Sequence, residues 1–135
     1  MQVQPVVIGS VEEMDSAFAA MSRERAEALM VQPVCIRVLG QTQRIADLAA
    51  KHRLPTSGPC ELAEAGGLLC YGADALPMYR RAAVFVDKIL KGATPGDLPV
   101  EQPMTFTLII NLKTAKALGL TIPPVLLFQV DKVIK

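Results

Sequence analysis

Tryptophan is absent from the sequence, and only six of its 135 residues are aromatic. A core must therefore be built from Ala, Val, Leu, Ile and Met, which fits an apolar content of 51%. Neither sign of charge is in excess, since the formal net charge is +1. No cluster of Lys and Arg exceeds a pair, so the sequence lacks the basic face that a nucleic-acid-binding protein needs.

Long apolar runs are also missing, because none approaches the roughly 20 residues that cross a bilayer. Residues 1–5 contain neither the basic nor the apolar region of a signal peptide, so we expect that this segment is not a secretory signal. The length fits one domain that can bury a core without the help of disulfide bonds.

Cysteine and histidine are scarce, with three and one residue respectively, and no CxxC pair occurs. We interpret Cys35, Cys60 and Cys70 as small buried apolar side chains, and a disulfide between two of them is the alternative. The odd count excludes a fully paired framework. His52 ends a predicted helix, where a cation suits the helix dipole. We therefore predict no metal site and no cofactor.

Catalytic constellations are absent as well. Cys70 would need a base or a cation beside it to become a nucleophile, and we assign the single histidine a structural role. Glu12, Glu13 and Asp15 lie in the first turn of a helix, where acidic residues suit the dipole. The sequence therefore predicts a protein that is not an enzyme and has no catalytic residues.

Apolar periodicity and turn residues predict strands that alternate with helices. The predicted strands are residues 3–8, 28–31, 54–57, 68–71 and 105–111. The predicted helices begin at residue 10 and residue 123 and cover residues 40–52, 61–65, 74–92 and 111–119. This alternation indicates βαβ units. The predicted class is α/β, a Rossmann-like three-layer α/β/α fold with a mostly parallel sheet.

Helix signals also predict caps and buried faces. Ser10 with Glu13 predicts a capping box, and Asp74 and Asn111 are predicted N-caps. Three apolar stripes at helical spacing are predicted to face the core. They are Met14, Ala17, Phe18 and Met21; Ile45, Leu48 and Ala49; and Met78, Ala82, Val86 and Ile89. The last helix is predicted to include Val125, Leu126, Phe128, Val130 and Val133.

Ligands of open parallel sheets bind beyond the carboxyl ends of the strands. Gly66 and Gly67 precede their strand, and the phosphate-loop motifs are missing, so this edge is no phosphate cradle. Tyr71 offers a ring and a hydroxyl, Gly72 a backbone N–H, and Asp74 an acceptor for an ammonium group, unless it acts only as a cap. The predicted ligand-binding residues are Gln32, Pro33, Ser57, Tyr71, Gly72 and Asp74.

Several stretches resemble one large family. "LPVEQPMTFTLIINLKTAKALGLTIPP" at residues 98–124 closely resembles the end of the substrate-binding proteins of bacterial ABC transporters. "AAKHRLP", "EAGGLLCYG" and "YRRAAVFVDKILKG" are similar to that family too. The resembling branch has largely uncharacterised substrates, with members associated with tryptophan and tyrosine. At position 60 the family more often has a basic or polar residue than cysteine.

The resemblance covers the second half of proteins that are about twice as long. It implies one lobe of a type I periplasmic-binding-protein fold, in which two lobes close on a small solute, such as an aromatic amino acid, and deliver it to an ABC permease. On this picture residues 1–97 are the carboxy-terminal lobe, and residues 98–135 are a hinge crossing followed by a strand–helix tail. The implied location is extracytoplasmic, commonly the periplasm.

The tail is too apolar to remain uncovered. We therefore expect it to pack on the lobe's own sheet or to exchange with a second chain, and we expect a homo-oligomer. The alternative function is a flavodoxin-like regulatory or interaction domain of the cytoplasm without catalytic activity. Its phospho-acceptor version is disfavoured, because no acidic pair ends a strand.

Overall fold

The computed structural model describes residues 2–33 and 40–135. The prediction that Cys35 is buried lies outside the described residues. Two compact units form, and each is described by itself. The first consists of Met1–Tyr71 with Leu108–Lys135, and the second is Gly72–Thr107. The predicted division near residue 97 stays a prediction.

Helices and strands alternate through most of the described chain. The helices are α1 (Met14–Arg23), α2 (Thr42–Lys51), α3 (Cys60–Glu64), α4 (Ala75–Leu90), α5 (Leu112–Leu118) and α6 (Pro124–Leu127), with a 3₁₀ turn at Pro95–Asp97. The strands are β1 (Leu29–Met30), β2 (Thr56–Gly58), β3 (Leu69–Ala73), β4 (Phe106–Asn111) and β5 (Lys132–Ile134).

The strands form one sheet in the order β1-β2-β3-β4-β5. β1 pairs with β2, β2 with β3, and β4 with β5, each in parallel. This confirms the predicted α/β class with a mostly parallel sheet.

The larger core cluster belongs to the first unit. Met14, Phe18 and Met21 of α1 are buried as predicted, whereas Ala17 is half-buried. The α2 stripe is also confirmed, since its three predicted residues are all buried. A salt bridge between Asp15 and the Arg44 guanidinium joins α1 to α2 at the surface. The hydrogen bond from Arg44 holds the pKa of the Asp15 carboxyl below its ordinary value.

The amino-terminal segment corrects two predictions. Residues 2–9 form no strand, and Val7 is 91% exposed. A β-branched run becomes a strand only where a neighbour supplies hydrogen bonds and covers one face. The capping box is also wrong, because the Glu13 carboxylate accepts from the Gly9 N–H at 2.8 Å and α1 begins at Met14 without a side-chain cap. Ser10 hydrogen-bonds instead to the Glu12 carboxylate and lowers its pKa.

The carboxy-terminal end corrects a third prediction. The helix after Pro123 ends at Leu127, and the chain then returns as β5, which contains Val133. Asp131 explains the change: its carboxylate accepts from the Leu108 N–H at 2.8 Å, and its own N–H donates to the Leu108 carbonyl at 3.0 Å. These two bonds fix the chain beside β4, so the apolar run continues as a parallel strand.

The second unit corrects a fourth prediction. The α4 residues predicted to be buried, Met78, Ala82, Val86 and Ile89, are all exposed. The spacing showed correctly which residues share a helix face, but this small unit contains too little chain to cover that face. Two nitrogens of the Arg81 guanidinium on α4 donate hydrogen bonds to the Glu101 carboxylate. The Arg81 hydrogen bonds lower the pKa of the Glu101 carboxyl.

Candidate functional site

Ligand-site candidates of the first unit lie on neighbouring parallel strands. The register pairs Met30 with Ser57 and Ser57 with Leu69. Gln32 and Pro33 follow β1 in the chain and are exposed, and Ser57 is half-buried in β2. Tyr71 is the middle residue of β3 and comes directly after Cys70, which pairs with the last residue of β2. Because the three strands are parallel, these residues fall toward the same carboxyl edge of the sheet.

Tyr71 is the most exposed aromatic candidate at this edge, with 66% of its surface accessible. Its neighbour Cys70 points to the opposite face and is 1% exposed, as the alternation of side chains along a strand requires. Tyr71 therefore presents an aromatic surface to solvent from a strand whose other face is buried.

Gly72 and Asp74 begin the second unit. A Cβ atom at Gly72 would have no other atom within 4 Å, so the backbone is accessible on that side. Asp74 is the N-cap of α4, as predicted: its carboxylate accepts from the Leu76 N–H at 3.0 Å. Its own N–H donates to the Thr105 carbonyl at 3.0 Å.

A groove of about 370 Å³ lies within the second unit. Asp74 contributes to its wall together with apolar side chains that include Met78, Phe85 and Met104. The Arg81 guanidinium lies 5.3 Å from the centre of the Phe85 ring, within the range of a cation–π contact. The groove thus combines two carboxylates, those of Asp74 and of Glu101, which is paired with Arg81, with apolar and aromatic surface.

Close packing supports the edge that carries Ser57 and Tyr71. A Cβ atom at Gly58 would lie 3.0 Å from both the Leu62 side chain and the Val31 carbonyl oxygen. The buried hydroxyl of Thr56 accepts from the Leu68 N–H at 2.9 Å. The corner from β2 through α3 to β3 is therefore tightly fitted.

A disulfide between Cys60 and Cys70 crosses the same corner, with their Cα atoms 4.9 Å apart. Our favoured interpretation of these two residues as separate thiols is wrong, although Cys70 is buried as predicted. The spacing of ten residues gave no indication that α3 returns Cys60 to β3. The resemblance offered one signal, since cysteine is unusual at position 60.

Sequence reasoning missed a groove of about 240 Å³ in the first unit. It lies toward the amino ends of β2 and β3, where Leu54 precedes β2 and Gly66 precedes β3. Its wall is mainly apolar and also includes Arg53 and Lys113. Both residues lie in stretches that resemble the family, but neither stretch indicated a groove, because residues of two separate helices, α2 and α5, line it together.

His52 occupies the predicted structural position at the carboxyl end of α2. Its Nδ1 lies 2.7 Å from the Ser22 hydroxyl of α1, and its ring lies 5.9 Å from the Phe18 ring. These contacts join the two helices.

Within residues 2–33 and 40–135, no group of three or more His, Cys, Asp or Glu residues could hold a metal ion. No helix of these residues is long and apolar enough to span a membrane.

The family described as "ABC transporter substrate binding protein" matches residues 1–134. The match covers nearly the whole chain, so the protein belongs to this family. The resemblance seen in the sequence is confirmed.

Solved structures with the same fold include an ABC domain in complex with L-Trp from Streptococcus pneumonia. It is 26% identical with a TM-score of 0.87, and the match covers 99% of this chain and 45% of that one. A conserved domain protein from Vibrio cholerae is 23% identical with a TM-score of 0.84, and the match covers 95% and 43%.

A ligand-free, open substrate binding protein with adhesive properties from Clostridium difficile is 20% identical with a TM-score of 0.62, and the match covers 95% and 42%. The chain therefore spans less than half the length of these three proteins. Among curated proteins, none matches this sequence.

Proposed function

We propose that this chain is part of the solute-binding component of an ABC importer and supplies one half of a clamshell that captures a small molecule such as an amino acid. The observation that supports the proposal is the carboxyl edge of three parallel strands, where Tyr71 is exposed and Ser57 lies on the neighbouring strand. Membership of the substrate-binding family supports this use of the edge. The same membership favours transport over a cytoplasmic regulatory domain, and a binding role over an enzymatic one.

An aromatic amino acid is the proposed solute. The Streptococcus pneumonia relative, whose structure contains L-Trp, supports this class. The Tyr71 ring supplies a stacking surface, and a pair of aromatic rings contributes about 0.5–1.5 kcal/mol beyond the area that it buries. In the first unit, Gln32 and Ser57 offer hydrogen bonds and Pro33 offers backbone surface. In the second unit, taken by itself, Gly72 offers backbone surface and Asp74 a carboxylate that can accept from an ammonium group while it caps α4.

The remaining parts of the proposal concern partners and location. Residues 1–97 act as the carboxy-terminal lobe and residues 98–103 as a hinge crossing, and closure about the hinge traps the solute for an ABC permease. An extracytoplasmic location agrees with the Cys60–Cys70 disulfide, because such bonds persist in oxidising compartments.

Calorimetric titration of L-tryptophan into the chain tests the proposed site. Tyr71→Ala should weaken binding by about two- to tenfold, which corresponds to the loss of one stacking contact. Tyr79→Ala is the matched control, since Tyr79 of α4 is equally exposed at 66% but is not among the predicted site residues. Equal effects of both substitutions would contradict the assignment of Tyr71.

We also propose that the chain forms a homo-oligomer. Many exposed large apolar side chains belong to the second unit, including Leu76, Tyr79, Leu90, Val100 and Met104. An exposed apolar face of a helix such as α4 indicates that another protein surface covers it. Sedimentation velocity should show a mass above that of one chain, and a monomer over the whole concentration range would contradict the proposal.

A further inference from the structure

The Cys60–Cys70 disulfide joins two points next to the candidate ligand edge. Cys60 is the first residue of α3 and follows β2 by two residues. Cys70 pairs in register with Gly58, and the next residue is Tyr71. The bond therefore closes a loop from Cys60 to Cys70, which Tyr71 follows directly and which Ser57 precedes by three residues.

The packing on the two sides of this bond differs. Leu62 of α3 belongs to the larger core cluster formed with α1 and α2 and is fully buried. Cys70 of β3 belongs instead to a smaller cluster, which among the described residues includes Ala63 and Ile109. A covalent link contributes most to local order where fewer apolar contacts hold the chain, so β3 depends on the bond more than α3 does.

The two cysteines differ in exposure. Cys70 is 1% exposed, whereas Cys60 is half-buried. A thiolate of an exchange partner can therefore attack Sγ of Cys60. The Cys60–Cys70 bond breaks, a mixed disulfide forms at Cys60, and Cys70 leaves as a thiolate that takes up a proton. A second thiol of the reductant releases Cys60, and a disulfide such as oxidised glutathione reverses the reaction.

We infer that the Cys60–Cys70 disulfide is a redox-sensitive positioning element, which holds Ser57 and Tyr71 in the arrangement that binds the solute. The part of this inference that concerns affinity rests on the proposed function. Reduction frees β3 from α3 and loosens the ligand edge, while the α1–α2 core stays folded. Affinity for the solute then follows the thiol–disulfide state of the surroundings.

Amide hydrogen exchange tests the positioning role without any ligand. The full chain carries Cys35→Ser, so that the third thiol takes no part, and is compared in its oxidised form, in its dithiothreitol-reduced form, and with the added pair Cys60→Ser and Cys70→Ser. Reduction and the double substitution should both speed exchange at residues 56–60 and 69–73 and leave α1 and α2 unchanged. Unchanged exchange, or an equal increase everywhere, would overturn the inference.

Titration with L-tryptophan tests the effect on affinity. Reduction should weaken binding by up to about tenfold, the loss of one stacking contact, and treatment with oxidised glutathione should restore it. The Cys60→Ser/Cys70→Ser protein should bind weakly in both conditions. Equal affinity of the oxidised and reduced chains would refute the link to binding. If the oxidised chain does not bind L-tryptophan, the proposed ligand fails, and the exchange experiment still decides whether the bond positions the edge.

Discussion

Asn111 connects three elements of the first unit through its side chain. It is 4% exposed at the end of β4. Its Oδ1 accepts from the Thr114 N–H at 3.2 Å and caps α5, and its Nδ2 donates to the buried Ala63 carbonyl of α3 at 3.1 Å. Replacement of Asn111 by alanine removes both bonds.

The expected cost can be worked out from these two bonds. Loss of an N-cap costs about 1 kcal/mol, and a buried carbonyl left without a donor costs about 1–3 kcal/mol. Asn111→Ala should therefore lower the free energy of unfolding by about 3 kcal/mol. Unfolding entropy is about 2.1 cal/mol/K per residue, so for 135 residues the midpoint temperature should fall by about 10 °C.

Urea and thermal unfolding followed by far-ultraviolet circular dichroism measure this loss, since the chain has no tryptophan to report fluorescence. Asn111→Ser is the matched control, because serine keeps the cap but cannot reach the Ala63 carbonyl. It should cost about 2 kcal/mol, the buried-carbonyl part alone. A serine variant as stable as the unsubstituted chain would refute the reasoning.

Two further predictions concern other parts of the first unit. Because Arg44 lowers the pKa of Asp15 from its ordinary value of 3.8, the pair stabilises the fold above that pH, and this contribution is lost as the pH falls through the lowered pKa. Arg44→Gln should raise the Asp15 pKa in a carbon-13 NMR titration; no change would contradict the assigned cause. Gly67→Ala should lower the unfolding midpoint, because its Cβ would lie 2.7 Å from a side-chain oxygen. Gly96→Ala, with no atom within 4 Å, should change it little, and equal effects would contradict the steric argument.

Local signals predicted several features correctly. Asp74 and Asn111 cap their helices as expected, and Gly119 ends α5 with a φ of 75°. Each of these depends on hydrogen bonds or backbone angles within a few residues. The pattern of the sequence contains that information directly.

Features that depend on distant residues were not predictable in the same way. The apolar run after Pro124 fits a helix or a strand equally well, and only the bonds between Asp131 and Leu108 decide for β5. The exposed face of α4 and the lack of a strand at residues 2–9 also depend on whether distant residues are present to pack against them. Periodicity identifies the residues that share a face, but it does not identify what covers that face.

The candidate site also combines features that the sequence predicted with features that depend on contacts between distant residues. The order of parallel strands predicted which edge carries Ser57 and Tyr71, because that follows from α/β topology. The disulfide behind this edge and the groove beside Arg53 and Lys113 result from contacts between separate helices and strands. Neither could be derived from spacing alone.

The most direct test of the account is an NMR titration of the isotope-labelled chain with L-tryptophan. If the chain captures an aromatic solute at the carboxyl edge, the amide signals of Ser57, Tyr71 and Gly72 should shift in a saturable way. Shifts concentrated at Arg53 and Lys113, on the opposite edge of the sheet, would contradict the account. The absence of any saturable shift would contradict the proposed ligand itself.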